Sequence, residues 1–410
     1  MQREVLIPTY MKSFACIGSA CEDSCCIGWR VNLDKKTYKN YKNLKHPELG
    51  MKLRKSIKRI KNEESSESKY AYIVMDQKAR CPMLEESGLC GIQAKLGEHM
   101  LSSTCTSYPR IVNKVNRMVE VSSKLSCPEA ARLALMNPDG IEFDHMEYEV
   151  NPIWGMKESL DTTKTSNGEH LFEPLRIFTI EVIQNRNLQL SDRMVFLGLF
   201  IDKLKILLKE KSFNQVELLI NEYRSKINSP QFINSLSAVH ISLDLQLRLV
   251  IEFIQARNLY GGGVPRYKEC YSDMITGLGI TDEDSFNLND LIKKYKESYS
   301  LYYAEFIEEY GYILENYLVN YIFENLFPNL EQGNVFDQYI RMSVLYAMLR
   351  IHLVGVSGAY KGLVPEMALK VIQSFTRVVE HNTSYINSIT ELLETNGLNK
   401  LAHIAAMLKE

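Results

Sequence analysis

A basic excess is missing from this chain of 410 residues: 48 lysines and arginines stand against 50 aspartates and glutamates, a formal charge of −2. Nucleic-acid binding needs a broad cationic field, so that class is disfavoured. Long apolar runs are missing too. No stretch approaches the roughly 18 uninterrupted apolar residues of a membrane helix, and the opening MQREVLIPTYMKSFACIG holds no run of signal-peptide length. These two gaps predict a cytoplasmic protein that enters no membrane and keeps its thiols reduced. Common catalytic signatures are absent as well: no G-x-G-x-x-G, no P-loop, no G-x-S-x-G elbow and no H-E-x-x-H. His145, His170, His240 and His352 are isolated and read as packing or surface residues.

What the chain does have is cysteine, unevenly spread. Eight of nine lie in the first 127 residues, at Cys16, Cys21, Cys25, Cys26, Cys81, Cys90, Cys105 and Cys127. Even scatter would put about three there, so the cluster is a site rather than a composition effect. Cys270 stands alone. An odd total in a reducing compartment argues against a disulfide framework, and reduced thiols packed this closely point to metal binding ahead of a purely structural role. Soft sulfur donors suit zinc or an iron–sulfur cluster. Cys21 and Cys25 have knuckle-like spacing, but the later cysteines have none. Cys81 and Cys127 each precede a proline, as cluster ligands do in ferredoxin-type runs. Adjacent Cys25 and Cys26 are expected to point apart and not to serve one metal equally. The C-x3-C-x2-C signature of radical S-adenosylmethionine proteins starts at Cys21 but meets Gly28 at its third position. Spacing leaves iron and zinc open, and one site or two.

The patterns predict a mainly α protein in two parts. Residues 1–150 form a small cysteine-rich α+β metal-binding domain, packed on an all-α helical domain over 151–410. In the first part, 1–50 reads as loop and short helix, Tyr70–Met75 as a strand, 92–101 as a helix, 109–122 as a hairpin turning near Asn113–Asn116, and Pro128–Met136 as a helix. The basic run from Lys35 to Lys45 reads as a solvated helix face. Helices are then predicted at 175–184, at 192–210 with Ser191 as cap, and at 213–225, 230–258, 282–326, 335–354, 364–395 and 398–409. Gly261–Gly263 reads as a helix stop. The tyrosine-rich 295–321 segment reads as core and rim.

FACIGSACEDSCCIGW at 14–29, CPML…GLC at 81–90, LSSTCTSYPR at 101–110 and LRIFTIEVIQNRNLQLSDRMVFLGLF at 175–200 together resemble the flagellin lysine-N-methylase family, within a wider group of cysteine-rich iron- or zinc-chelating proteins. The resemblance covers most of the chain. It implies a transferase that methylates lysine ε-amino groups of flagellin, uses S-adenosylmethionine and holds a [4Fe-4S] cluster on the eight N-terminal cysteines. It leaves the ligating subset open, and zinc remains the alternative metal. A lysine must lose its proton to attack a methyl group, and an apolar aromatic cleft favours the neutral amine. Trp29, Tyr38 and Tyr108 are the candidates to line one. Arg186 and Arg193 are candidates to pair with the donor's carboxylate, or else make ordinary ion pairs within the bundle. The competing expectation is a non-enzymatic binding module in which metal only staples the N-terminal domain.

Overall fold

The computed structural model describes residues 2–62, 65–237, 243–259, 264–281 and 287–409. The glycine stop at 261–263 and His240 lie outside them. The chain is mainly helical with a small share of strand.

The larger sheet has five strands in the order β7-β1-β6-β5-β8. They are β1 (Gln2–Pro8), β5 (Arg110–Val115), β6 (Met118–Ser123), β7 (Phe143–Glu149) and β8 (Met156–Leu160). The predicted hairpin is present as β5–β6, with its turn shifted to Asn116, whose φ of +56° asparagine tolerates better than most residues. β1 runs antiparallel to β7 and parallel to β6, while β8 runs parallel to β5. Two expectations need correcting. The front of the chain is a strand, not loop and short helix. Its pairing partners lie more than a hundred residues on, so no local pattern marked it. The stretch expected to open an all-helical half carries β8, so the strands extend past residue 150.

A second, three-stranded sheet, β2-β4-β3, is built from β2 (Asn32–Leu33), β3 (Ile57–Arg59) and β4 (Ala71–Ile73). It packs with α1 (Lys35–Asn43), α2 (Leu49–Ser56), α3 (Gly91–Leu96) and α4 (Ser103–Ser107) around Leu33, Tyr41, Leu53, Ile73 and Met83. Asp34 caps α1 by accepting from Thr37 N at 2.8 Å. The predicted 92–101 helix breaks at Gly97, where φ is +88°. This small core is separate from the main one, which unites β1, β5 and β6 with the helices.

Those helices are α5 (Pro128–Leu135), α6 (Phe172–Ile183), α7 (Leu190–Lys209), α8 (Val216–Lys226), α9 (Pro230–Ser237), α10 (Leu243–Leu259), α11 (Pro265–Gly277), α12 (Leu288–Ser298), α13 (Ala304–Tyr310), α14 (Tyr312–Glu324), α15 (Val335–Tyr360), α16 (Pro365–Phe375), α17 (Thr383–Thr395) and α18 (Leu401–Leu408). α11 was not anticipated. The 282–326 and 364–395 segments are interrupted, each by a π-helical turn, at Tyr299–Tyr303 and Thr376–Glu380. Ser191 does not cap α7: the helix starts one residue earlier, and Asp192 in its first turn pairs with Lys409. α15 is long and apolar enough to cross a bilayer by composition, yet 89% of its most apolar window is buried, with Arg350 and His352 fully inside. It is the core helix.

Sheet and bundle are joined by buried polar contacts. Arg176 of α6 grips Glu120 of β6 with two bonds of 2.7 Å. Tyr10 Oη donates to Asn320 Oδ1 at 2.6 Å, and Asn320 Nδ2 donates to Ser123 O at 3.1 Å. α11 crosses α15 at Gly277, where a Cβ would stand 1.7 Å from Gly355 O. Helix backbones this close leave no room for a methyl group. Gly277→Ala should therefore cost about 3 kcal/mol or more, above the usual range for overpacking, because backbone rather than a side chain must move. Urea unfolding measures it; a change under about 0.5 kcal/mol would deny the close crossing.

Candidate metal centre and adjoining cleft

All nine cysteines are free thiols. Five converge. The turn carrying Cys25 and Cys26 forms an antiparallel bridge, Ile27↔Arg80, and Cys81 N donates to Cys26 O at 2.7 Å. A second bridge, Leu84↔Cys90, closes the next turn and sets Cys90 as the N-cap of α3. Cys105 sits in α4, where the Ser102 hydroxyl accepts from its amide at 3.2 Å. Cys25, Cys26, Cys81, Cys90 and Cys105 line one cavity of about 50 Å³, walled otherwise by groups such as Trp29, Tyr41, Met83, Ile92 and Tyr108. One water needs about 10–15 Å³ and two to four polar partners. This space is larger, and its wall is mostly sulfur and hydrocarbon. Contrary to expectation, Cys25 and Cys26 share the cavity. Gly28, where the radical signature would need cysteine, makes the turn possible: φ is +86°, and a Cβ would lie 2.7 Å from Val264 Cγ2.

The five thiols are not equivalent. Hydrogen bonding with Cys26 lowers Cys90 to about 6, helped by the Gln93 and Ile92 amides at the start of α3. The same contact, with Arg377 nearby, lowers Cys25. Cys26, held between those two sulfurs, is driven the other way. Burial raises Cys81 to about 11 and Cys105 to about 12. The remaining three form a second group: Cys127, the N-cap of α5, feels the charges of Cys21 and Cys16. Burial raises both Cys127, to about 11, and Cys21.

Arg377, in the π-turn after α16, fixes the cysteine turn to the bundle. It pairs with Asp23 at 2.5 Å and donates to Ser24 O at 2.8 Å and to Ile27 O. Gln373 adds bonds to Asp23 Oδ2 at 2.9 Å and Ser126 O at 2.8 Å. Neither residue was singled out from sequence, since their hydrogen-bond partners lie 247 to 353 positions away.

A cleft of about 550 Å³ shares Trp29 and Tyr108 with the thiol cavity. That size falls in the range of small-ligand pockets. The two rings meet at 5.4 Å, and Trp29 Nε1 donates to Cys25 O at 2.6 Å. Beyond them the cleft is lined by Arg110, Lys124, Lys157, Tyr321, Arg341 and Glu380, among others. Lys124 sits between Glu324 and Glu380, and Glu380 also accepts from Tyr317 Oη at 3.1 Å. Burial pushes the Glu380 carboxyl above its usual range. Lys157 enters from the rim with an exposed stem; its amine donates to Glu324 O at 3.0 Å and Asn325 Oδ1 at 2.8 Å. Desolvation of that recessed amine, then Lys124, lowers it to about 8. Arg110 and Arg341 have no carboxylate within ion-pair distance among the described residues, and each has a buried Nε without a partner. The Arg110 guanidinium lies over Trp154 at 4.8 Å.

Of the other sequence candidates, Tyr108 is in place on both walls, its hydroxyl 3.1 Å from Ser126 Oγ. Tyr38 packs instead on Tyr70 at 5.2 Å in the small core's rim. Arg186 and Arg193 line a different pocket and converge on Glu315 of α14, at 2.8 and 2.6 Å. Arg193 also donates to Ile183 O and Leu188 O, stapling the α6–α7 turn. They have carboxylate and carbonyl partners within the bundle, and the structure does not bring them to Tyr108.

The fold and site together define a mainly helical, cysteine-bearing protein with an aromatic cleft beside its thiols. Residues 176–407 match the family model described as the FliB lysine N-methylase C-terminal domain, and the chain belongs to that family. It is 23% identical to a lysine-N-methylase of Salmonella typhimurium over 403 residues, covering 95% of this chain and 94% of the relative, and equally to one of Salmonella choleraesuis. It is 35% identical over 134 residues to a flagellar biosynthetic protein FliU of Salmonella muenchen, covering 33% of this chain and 78% of that one. No solved structure matches.

In metal-free protein, Cys25 and Cys90 should take up iodoacetamide at pH 7 well before Cys81 and Cys105. A lowered thiol keeps its thiolate to lower pH, so labelling of Cys90 should persist below the pH at which labelling of Cys81 and Cys105 is lost. Peptide mapping reads this. Equal labelling of all five would contradict the assigned hydrogen bonding.

Proposed function

We propose that this protein transfers methyl groups from S-adenosylmethionine to lysine ε-amino groups of flagellin, in the reducing cytoplasm. Family membership and the relatives' names support lysine N-methylation and a flagellar substrate. The single observation that carries the reading is the aromatic cleft that shares Trp29 and Tyr108 with the five-thiol cavity and already holds a lysine amine, that of Lys157, on two neutral oxygens. Desolvation of that amine, then the neighbouring Lys124, loosens its proton. Methyl transfer needs that condition, because only the neutral amine has a lone pair to offer.

The residues divide the work. Trp29, Tyr108 and Tyr321 supply an aromatic wall against which a lysine stem can lie. Lys124, Lys157, Arg110 and Arg341 outnumber the cleft's carboxylates, so an entering ammonium is driven to give up its proton. Glu380 is the basic oxygen on the wall to receive it. Arg110 and Arg341 add two guanidiniums to the cleft wall, each with a buried Nε that has no partner.

The thiol cavity fits a sulfur-bound group. Five soft donors line one small, mostly apolar space. Among the described residues no three Cys, His, Asp or Glu side chains are arranged to hold a metal ion. Sulfurs spread around a cavity suit a cluster with its own sulfide core better than a single zinc. Cys25, Cys26, Cys81, Cys90 and Cys105 are the pool from which a [4Fe-4S] group would draw four ligands. When bound, such a cluster would supply an electron-rich metal centre and a site for the donor's amino and carboxylate groups.

The test is transfer of labelled methyl from S-adenosylmethionine to purified flagellin by anaerobically prepared protein, with iron and acid-labile sulfide measured in parallel. Methylated lysines are expected; none would overturn the reading. Serine at any true ligand should lower iron content, whereas Cys270→Ser should leave it intact, that thiol being buried in the helical core. Glu380→Gln should cut turnover on the order of a hundredfold, while Lys124 keeps Glu324 and the fold survives. Unchanged turnover would remove Glu380 from the proton path.

A further inference from the structure

One residue of the cleft is itself a lysine. Its stem is exposed at the rim, but it lines the cleft and its amine is held there. Lys157 is the second residue of β8, two positions after Gly155, whose amide donates to Ser107 Oγ at 3.1 Å at the end of the helix that carries Cys105. The residue is therefore pinned to the wall shared with the cysteine subdomain. Its amine ends in the cleft with two neutral oxygens as partners, Glu324 O and Asn325 Oδ1. No carboxylate lies within ion-pair distance of it among the described residues. Lys124, the other lysine of the cleft, is instead fixed between two carboxylates, which push it well above its ordinary value. It stays an ammonium.

We propose that Lys157 is a methyl-acceptor site of the protein itself, its amine standing where the cleft receives a substrate lysine. This rests on the lysine-methylating reading above and goes past it, since nothing in that reading requires a resident acceptor. The amine lone pair forms a new N–C bond to the donor's methyl carbon while the sulfonium S–C bond breaks. The sulfur keeps the electron pair and leaves as the thioether. One amine proton passes to Glu380 or water. A side chain held by neutral oxygens can rotate off them at the cost of two ordinary hydrogen bonds, about 1 kcal/mol each. At pH 7.5 an amine near 8 has a neutral fraction more than tenfold above that of an ordinary surface lysine, because each pKa unit is a factor of about ten. Methylation removes donor hydrogens, so a dimethylated Lys157 cannot bond to both oxygens. The modified side chain would swing toward the rim and leave the cleft clear for an incoming lysine.

The experiment uses full-length protein prepared anaerobically and incubated with labelled S-adenosylmethionine, without flagellin, then digested for peptide mass analysis. The expected result is a gain of one or two methyl groups on the peptide containing Lys157, at an occupancy at least tenfold above any other lysine. Its rate per chain should not change on tenfold dilution, as a reaction within one molecule requires. Lys157→Arg should lose the label, and Lys39→Arg, on an exposed helix face, should keep it. The same preparation is assayed on flagellin. If it methylates flagellin and leaves Lys157 bare, or labels lysines evenly, the self-methylation is overturned while the functional reading stands. If it labels Lys157 and not flagellin, the site stands and the substrate assignment falls. If it labels neither, both fall.

Discussion

The arrangement depends on a buried guanidinium holding a loop that cannot hold itself. The 21–29 turn has little regular structure, no disulfide and few buried apolar side chains. With its cysteines free, the turn has no cross-link, so other groups must fix the backbone. Arg377 does this from the helical side by pairing with Asp23 and donating to Ser24 O and Ile27 O. At 5% and 10% exposure the pair is shielded from screening. A buried pair of this kind adds little net stability over an apolar contact, but breaking it strands a charge. Its value is positional. It sets the cysteine turn against α16, and through Trp29 it sets the turn against the cleft.

Position matters because the two cavities have opposite characters. The thiol cavity is sulfur and hydrocarbon, suited to soft, covalent ligation. The cleft is wet at its mouth and carries more cations than carboxylates. Joining them through the Trp29–Tyr108 pair gives a boundary of aromatic carbon only one ring deep. A donor bound near the thiols and an amine bound in the cleft would meet across that boundary. An excess of cations looks ill-suited to receiving a lysine, but it would favour the amine over the ammonium.

The sequence showed the helical character, most helix positions, the β5–β6 hairpin and the clustering of cysteines, five of which the fold brings to one cavity. Those are local signals: period, turn residues and spacing. It did not show β1, whose partners are remote, nor β8, which reads as polar coil until it pairs with β5. The cleft was the least legible part. Trp29 and Tyr108 were picked because they neighbour cysteines. Lys124, Lys157, Arg341 and Glu380 come from β6's end, β8, α15 and the turn before α17, and nothing local distinguishes them from surface charges. Arg186 and Arg193 show the converse. Their motif-like setting drew attention, but it reflects a structural duty, tying the α6–α7 turn to Glu315.

That contrast shows two ways in which arginines are placed in this fold. A scaffold arginine is satisfied inside the protein, as Arg176 is by both oxygens of Glu120 and Arg193 is by Glu315 and two carbonyls. Arg110 and Arg341 line the cleft, each with a buried Nε that has no partner and, among the described residues, no carboxylate within ion-pair distance. Leaving a buried polar atom unpaired costs about 1–3 kcal/mol, which a fold of this size tolerates where a ligand later supplies the missing contact. Lys157 obeys the same logic with the sign of the result reversed. It has partners, but neutral ones, and so it keeps a labile proton where Lys124, held by two carboxylates, does not. The chemistry of this cleft follows from which of its cations the protein chose to neutralise.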